Sequence, residues 1–169
     1  MALQQYLDEL RRQKPDYTVP DFDPDGPLEQ AEVMFLLMKA GTKGAGVNGV
    51  VSLTANDDQT ARNMRSIFDE IGLGYHDVLL WNVIPWYDGK RSASIDEVEE
   101  GLVALEQLVS LLPHLKTVVL VGAHAQKAEP MLMRLGLRVL TSPHPSPMVK
   151  NINPEQYAEI APVWAQAVK

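Results

Sequence analysis

Apolar residues fall along this chain in two rhythms. In residues 2–14 they recur at Leu3, Tyr6, Leu7 and Leu10, a spacing that puts one apolar stripe on a helix. Residues 33–38, VMFLLM, instead form a short unbroken run suited to a strand buried on both faces. The two rhythms then alternate. The pattern predicts a helix over Gln59–Ile71, started by Asp57 or Asp58 and stopped at Gly72. It predicts a strand at 77–81 and a helix at 95–112, where Ser94 and Glu97 have capping-box spacing. A strand at Thr117–Val121, a helix at 123–135 made irregular by Pro130, and a strand at 137–141 follow. A closing helix at 154–168 should bend at Pro162. Pro15, Pro20, Pro24 and Pro27 make 14–27 an extended acidic connector.

Strands alternating with helices predict an α/β fold whose parallel sheet is covered on both faces. Right-handed crossovers bring the C-terminal ends of the strands to one edge, where such sheets bind ligands. Chemistry is therefore sought in the loops at 39–49, at 82–93, after Gly122 and at 142–153. The length, 169 residues, suits a single domain over 1–169.

Composition narrows the choices. With no cysteine, disulfides, thiolate metal sites, iron–sulfur clusters and cysteine nucleophiles are excluded. Apolar runs reach about six residues, far below the ~20 of a membrane span, and residues 2–14 lack the apolar centre of a secretory signal. A cytoplasmic protein without membrane contact is expected. The net charge of −7 disfavours indiscriminate adhesion to nucleic acid but leaves room for a local basic face. Such a face would need Lys39, Lys43, Lys90, Arg91, Lys127 and Lys150 together.

Each loop carries a chemical reading beside a plain one. In SPHPSP, Ser142–Pro147, three prolines stiffen the backbone around His144 and fix its imidazole, or the segment is only a rigid turn. Asn82 ends a buried run and offers a donor and an acceptor to the edge of a pyrimidine; otherwise it caps a turn. Trp86 and Tyr87 supply surface for stacking, or for the core. Gly122-Ala-His-Ala-Gln-Lys127 turns a strand into a helix start that favours anions, or is an ordinary junction. The glycine-rich Lys39–Gly46 fits neither common nucleotide fingerprint. No His pair lies at i, i+4, so no zinc site is expected.

In combination these segments resemble the uracil-DNA glycosylase superfamily. Asn82 after a strand, the A-Q-K turn at Ala125–Lys127 and H-P-S-P at His144–Pro147 occur in that family's order. Gly49–Ser52 and the helix from Ala61 to Glu70 are similar to its post-loop strand and following helix. The resemblance implies a three-layer αβα sandwich with a central four-stranded parallel sheet. It implies a monomer that needs no metal or cofactor, takes DNA containing uracil, and releases free uracil from a flipped-out nucleotide. By the same resemblance, Asn82 reads the uracil edge and His144 donates to the carbonyl on which negative charge grows. The Pro145-Ser146-Pro147 backbone, Gln126, Lys127 and Lys43 contact phosphates. Met148 is the wedge that fills the vacated stack. Lys39, Gly41, Val51 and Ser52 line the substrate site.

Two departures from the family pattern stand out. Aligned without a gap, Lys39 occupies the place of the acid or Asn of the family's first motif, and an ammonium is no base. Asn48, Asn56, Asp57 and Asp58 are the downstream candidates to help the water. The aromatic ring expected near Val51–Ser52 is missing, leaving Trp86, Tyr87 or Phe35 to stack on the base. Alternatives are a lyase using Lys39 as a nucleophile, a catalytically silent nucleic-acid-binding member, a glycosylase for another damaged base, and an unrelated nucleotide-binding protein.

Overall fold

The computed structural model describes residues 2–40 and 49–169. Its strands are β1 (Asp21–Phe22), β2 (Val33–Lys39), β3 (Val50–Val51), β4 (Leu79–Ile84), β5 (Thr117–Val121) and β6 (Arg138–Ser142). The six strands form two sheets. One is a short parallel pair, β1 with β3; the other is a four-stranded parallel sheet in the order β4-β2-β5-β6. Parallel pairing throughout brings the C-terminal ends of β2, β4, β5 and β6 to one edge, as the strand–helix alternation requires.

Helices cover both faces. They are α1 (Ala2–Gln13), α2 (Gln59–Ile71), α3 (Ile95–Ser110), α4 (Glu129–Arg134), α5 (Pro147–Ile152), α6 (Pro154–Ala158) and α7 (Ile160–Gln166). The pleat of β2 explains the layering. Met34 and Leu36 point into a core with Leu7, Leu10, Trp81 and Leu105, under α1 and α3. Phe35, between them, points into a second core with Phe68 of α2 and Trp164 of α7. Its ring lies 5.1 Å from that of Phe68 and 5.0 Å, edge-on, from that of Trp164. A strand buried on both faces has no polar position to give away, which is why 33–38 reads as one apolar run.

The elements differ from the sequence expectation where proline or tertiary pairing intervenes. The connector at 14–27 contributes β1, which pairs with β3, and Thr18 bridges Tyr87. β4 runs on to Ile84, so Asn82 lies within a strand. The expected helix at 123–135 is a 3₁₀ turn, Ala125–Ala128, followed by α4, because Pro130 is accepted only in a helix's first turn. The closing helix divides at Glu159, and Pro162 falls in the first turn of α7, where its missing N–H costs nothing. The loop after β6 winds into α5.

Candidate active site

Asn82 is placed by strand alternation. Trp81 and Val83 belong to the core beneath α1 and α3, so the residue between them faces the α2 side. There it pairs in register with Leu37 and lines a cleft of about 60 Å³ with Leu37, Val51, Leu53, Asp58 and Met64. Its side chain is only 5% exposed and makes no hydrogen bond among the described residues. A carboxamide that lines a cleft and meets no protein partner is free to bond a ligand there, or water that a ligand displaces.

His144 is oriented by its surroundings. Gly122 ends β5 at φ +89°, and a Cβ there would lie 3.1 Å from the His144 Cβ and 3.3 Å from its Cδ2. Only glycine lets the imidazole pack against this turn. The Gly122 N–H donates to the Ser142 carbonyl (2.9 Å), and Trp164 Nε1 donates to Ser142 Oγ (2.8 Å). Asn63 of α2, itself buried, donates its amide to the Pro145 carbonyl at 2.9 Å, and accepts from Gln59. Ser146 then caps α5 by accepting from the Val149 N–H, with Pro147 at the first turn. The stiffness expected from three prolines is thus reinforced from α2, α7 and β5. Asn63, Ser142 and Trp164 were not singled out from sequence. The available signal was an asparagine on the apolar stripe of α2, beside Met64 and Ile67.

Burial pushes the His144 imidazole below its usual range; the nearby Asp58 carboxylate opposes this and His124 adds to it. Burial thus favours the neutral ring, which carries one N–H to donate. Asp58 joins the two halves of the site. It lines the Asn82 cleft and acts electrostatically on His144.

Lys39 borders the cleft, and its Nζ is 2.8 Å from Asp88, 3.3 Å from Glu97 and 3.0 Å from the Ser92 carbonyl. Its side chain is 3% exposed. All three ammonium hydrogens are engaged, which leaves nothing for attack on a sugar. Burial alone would raise the Asp88 carboxyl, but the Lys39 ammonium and the Lys90 N–H hold it below the usual carboxylate range.

Trp86 and Tyr87 are not brought to the cleft. Trp86 is 1% exposed in the core under α1 and α3, with Nε1 donating to Glu97 (2.9 Å) and Lys14 over its ring. Tyr87 packs against the same core while its backbone exchanges hydrogen bonds with Thr18. Phe35 is sealed in the other core. Val51 and Leu53 supply apolar lining instead, whereas Ser52 is turned into a local turn, accepting from the N–H groups of Thr54 and Ala55. Gly41, Lys43 and Asn48 lie outside the described residues. Among the described residues, no three His, Asp or Glu side chains converge on a metal-binding point.

The remaining candidates surround the strand ends. Gln126 and Lys127 are exposed on the 3₁₀ turn after β5. Pro145 is buried, Ser146 half-buried, and Pro147 and Met148 exposed, Met148 by 68%. Lys90, Arg91, Lys127 and Lys150 are exposed on segments that follow β4, β5 and β6, while Lys39 is withdrawn into its ion pairs. A larger groove of about 600 Å³ lies between α1 and β1, rimmed by Asp21, Asp23, Asp25 and Glu29. It contains neither Asn82 nor His144, and its carboxylates would repel a phosphate backbone.

The architecture is that of an α/β protein with a small, mostly apolar cleft that carries a few polar groups, at the C-terminal edge of a parallel sheet. A family model described as the Uracil DNA glycosylase superfamily matches residues 39–167, which include the cleft, the Gly122 turn and the His144 loop. The chain belongs to the uracil-DNA glycosylase superfamily. Among solved structures it is similar to a "putative Uracil DNA glycosylase from Methanosarcina acetivorans", at 15% identity and a TM-score of 0.47, covering 88% of this chain and 98% of that one. It is also similar to the wild-type UNG of Nitratifractor salsuginis, at 14% identity and a TM-score of 0.39, over 81% of this chain and 74% of that one. A point mutant of the same UNG aligns at 14% identity and a TM-score of 0.44, over 97% and 90%. The assignment rests on the family match and not on these distant likenesses. A search of the curated proteins finds no match.

Proposed function

We propose that this chain is a monofunctional uracil-DNA glycosylase, acting as a monomer on DNA that contains uracil. The observation that carries this reading is the buried, unpartnered Asn82 carboxamide at the strand-end cleft. Its N–H donates to uracil O4 and its oxygen accepts from uracil N3–H; cytosine presents the opposite pair and is refused. His144 donates its N–H toward O2 of the same base. As the bond between the base nitrogen and the sugar carbon breaks, negative charge spreads into the ring. A neutral imidazole held ready then stabilises that charge without reorganising. Met148, exposed on α5, fills the space left in the stack, while the Pro145–Pro147 backbone, Gln126 and Lys127 hold phosphates.

The test is strand scission of labelled oligonucleotides carrying one uracil, with and without hot alkali. Cleavage that needs alkali is the expected result, since the product is an abasic site. Cleavage without alkali would instead indicate lyase chemistry, which the engaged Lys39 ammonium opposes. No cleavage of either single or double strands would defeat the reading in favour of a binding module or another base.

A further inference from the structure

Hydrolysis of an N-glycosidic bond leaves a cationic sugar carbon that water must capture, and the water must lose a proton. Lys39, aligned with the family's acid or Asn, has no capacity to accept one, its three hydrogens being bound to Asp88, Glu97 and Ser92. The other described candidates can be sorted by their partners. Asn56 is spent on the scaffold: its amide donates to the Val50 carbonyl and its oxygen accepts from the Ser52 N–H, both at 3.0 Å. Asp57 faces solvent, clamped by Arg62 at 3.0 and 3.1 Å and approached by Arg65 at 3.5 Å.

Asp58 differs from all of these. It sits at the N-cap of α2, yet its carboxylate makes no capping hydrogen bond there. It makes no other side-chain hydrogen bond among the described residues, and it lines the cleft that holds Asn82. A carboxylate at an N-cap ordinarily folds back onto the N–H groups of the first turn. One that leaves them free and borders a cleft is available to a ligand.

We infer that Asp58 is the catalytic carboxylate of this chain: it faces the sugar of a nucleotide whose base is held by Asn82, and accepts the proton of the attacking water. This rests on the glycosylase reading above. The bond from sugar carbon to base nitrogen breaks with its electron pair leaving on the base. Water oxygen bonds the sugar carbon, its proton passes to Asp58 and then to solvent, and the uracil anion takes a proton from solvent. Among the described residues, the charged and titratable groups around Asp58 are Asp57 and Arg62 on its own segment, His144 on the loop after β6 with His124 acting on it, and Lys39 on the same cleft. Arg62 makes its hydrogen bonds to Asp57 and reaches Asp58 only electrostatically.

The experiment is single-turnover base release by wild type, Asp58→Ala, Asp58→Glu and, as a control at an exposed carboxylate remote from the cleft, Asp16→Ala, with melting temperature recorded for each. Expected are a loss of about a hundredfold or more for Asp58→Ala, a partial return in Asp58→Glu, and a rate near wild type for Asp16→Ala. Added sodium formate, a free carboxylate small enough for the vacated space, should restore at least about tenfold to Asp58→Ala relative to sodium chloride at equal ionic strength. A structural role would not respond to formate. Asp58→Ala within about threefold of an active wild type would overturn the inference and leave the glycosylase reading standing. A deficit that neither formate nor Asp58→Glu relieves would also overturn it, assigning Asp58 to structure. An inactive wild type would defeat the underlying reading and this inference with it.

Discussion

Asn82 and His144 make opposite demands on stability. Asn82 is only 5% exposed, and its amide lines the cleft and makes no hydrogen bond to the described residues, so the fold gains little from it. A residue kept for recognition should therefore be removable without loss of fold. Asn82→Ala is expected to melt at or above the wild-type temperature while base release falls by about 10²–10³-fold. A variant that melts well below wild type would mean the amide is structural. His144 bears on pH. Its pKa in the fold lies below the unfolded value near 6.5, so between the two the unfolded chain binds more protons. Its contribution is fully present above pH 6.5 and is lost as pH falls through the lower folded pKa. Stability should drop on acidification from pH 7 to 5, and less steeply in His144→Gln. Equal slopes in thermal melts of the two proteins would contradict this burial argument.

Among the elements, β4 and its following loop show what a local reading finds and misses. Lys39→Met removes the ammonium between Asp88 and Glu97, which are 13% and 16% exposed, and leaves both carboxylates without it. The expected cost is about 3–5 kcal/mol, typical of breaking a buried pair from one side. Chemical denaturation measures it. Base release by the folded fraction should persist, whereas a nucleophilic lysine would abolish turnover without disturbing the melt. The Asp88 carboxyl gives the same network a second signature. Its folded pKa is lowered, so its share of stability is present above the unfolded value of 3.8 and disappears as pH falls through the folded one. Sequence revealed β2, α2, β5 and the order of Asn82, Gly122 and His144, because each is written in a local period or a short motif. It did not reveal where Lys39 points, since Glu97 is 58 positions away and only the packing of α3 against β4 joins them. Trp86 misled for a related reason: a ring beside a binding edge and a ring in a core have the same local sequence. Asp58 was visible only as one of several candidate helix starters and water-assisting groups. Its selection needed the hydrogen-bond partners of its neighbours.

At the scale of the whole molecule, a protein of net charge −7 must meet a polyanion, and the distribution of charge decides whether it can. The acidic groove formed by Asp21, Asp23, Asp25 and Glu29 opens beside α1. Exposed Lys90, Arg91, Lys127 and Lys150 instead follow the C-terminal ends of β4, β5 and β6, on the edge that carries the cleft. If these four neutralise phosphates, log affinity should fall with log salt at a slope of about −3 to −4, near −0.9 per contact. The slope belongs to the contacts and not to the net charge, so acidic character elsewhere lowers affinity without flattening it. Lys127→Ala should flatten the slope by about one and weaken binding to uracil-containing and ordinary DNA alike, because a phosphate contact carries no base information. Fluorescence anisotropy over a salt series reads both quantities. A Lys127→Ala slope equal to wild type would place the DNA elsewhere on the surface. A loss confined to uracil-containing DNA would mean that Lys127 acts on the flipped nucleotide rather than on the backbone.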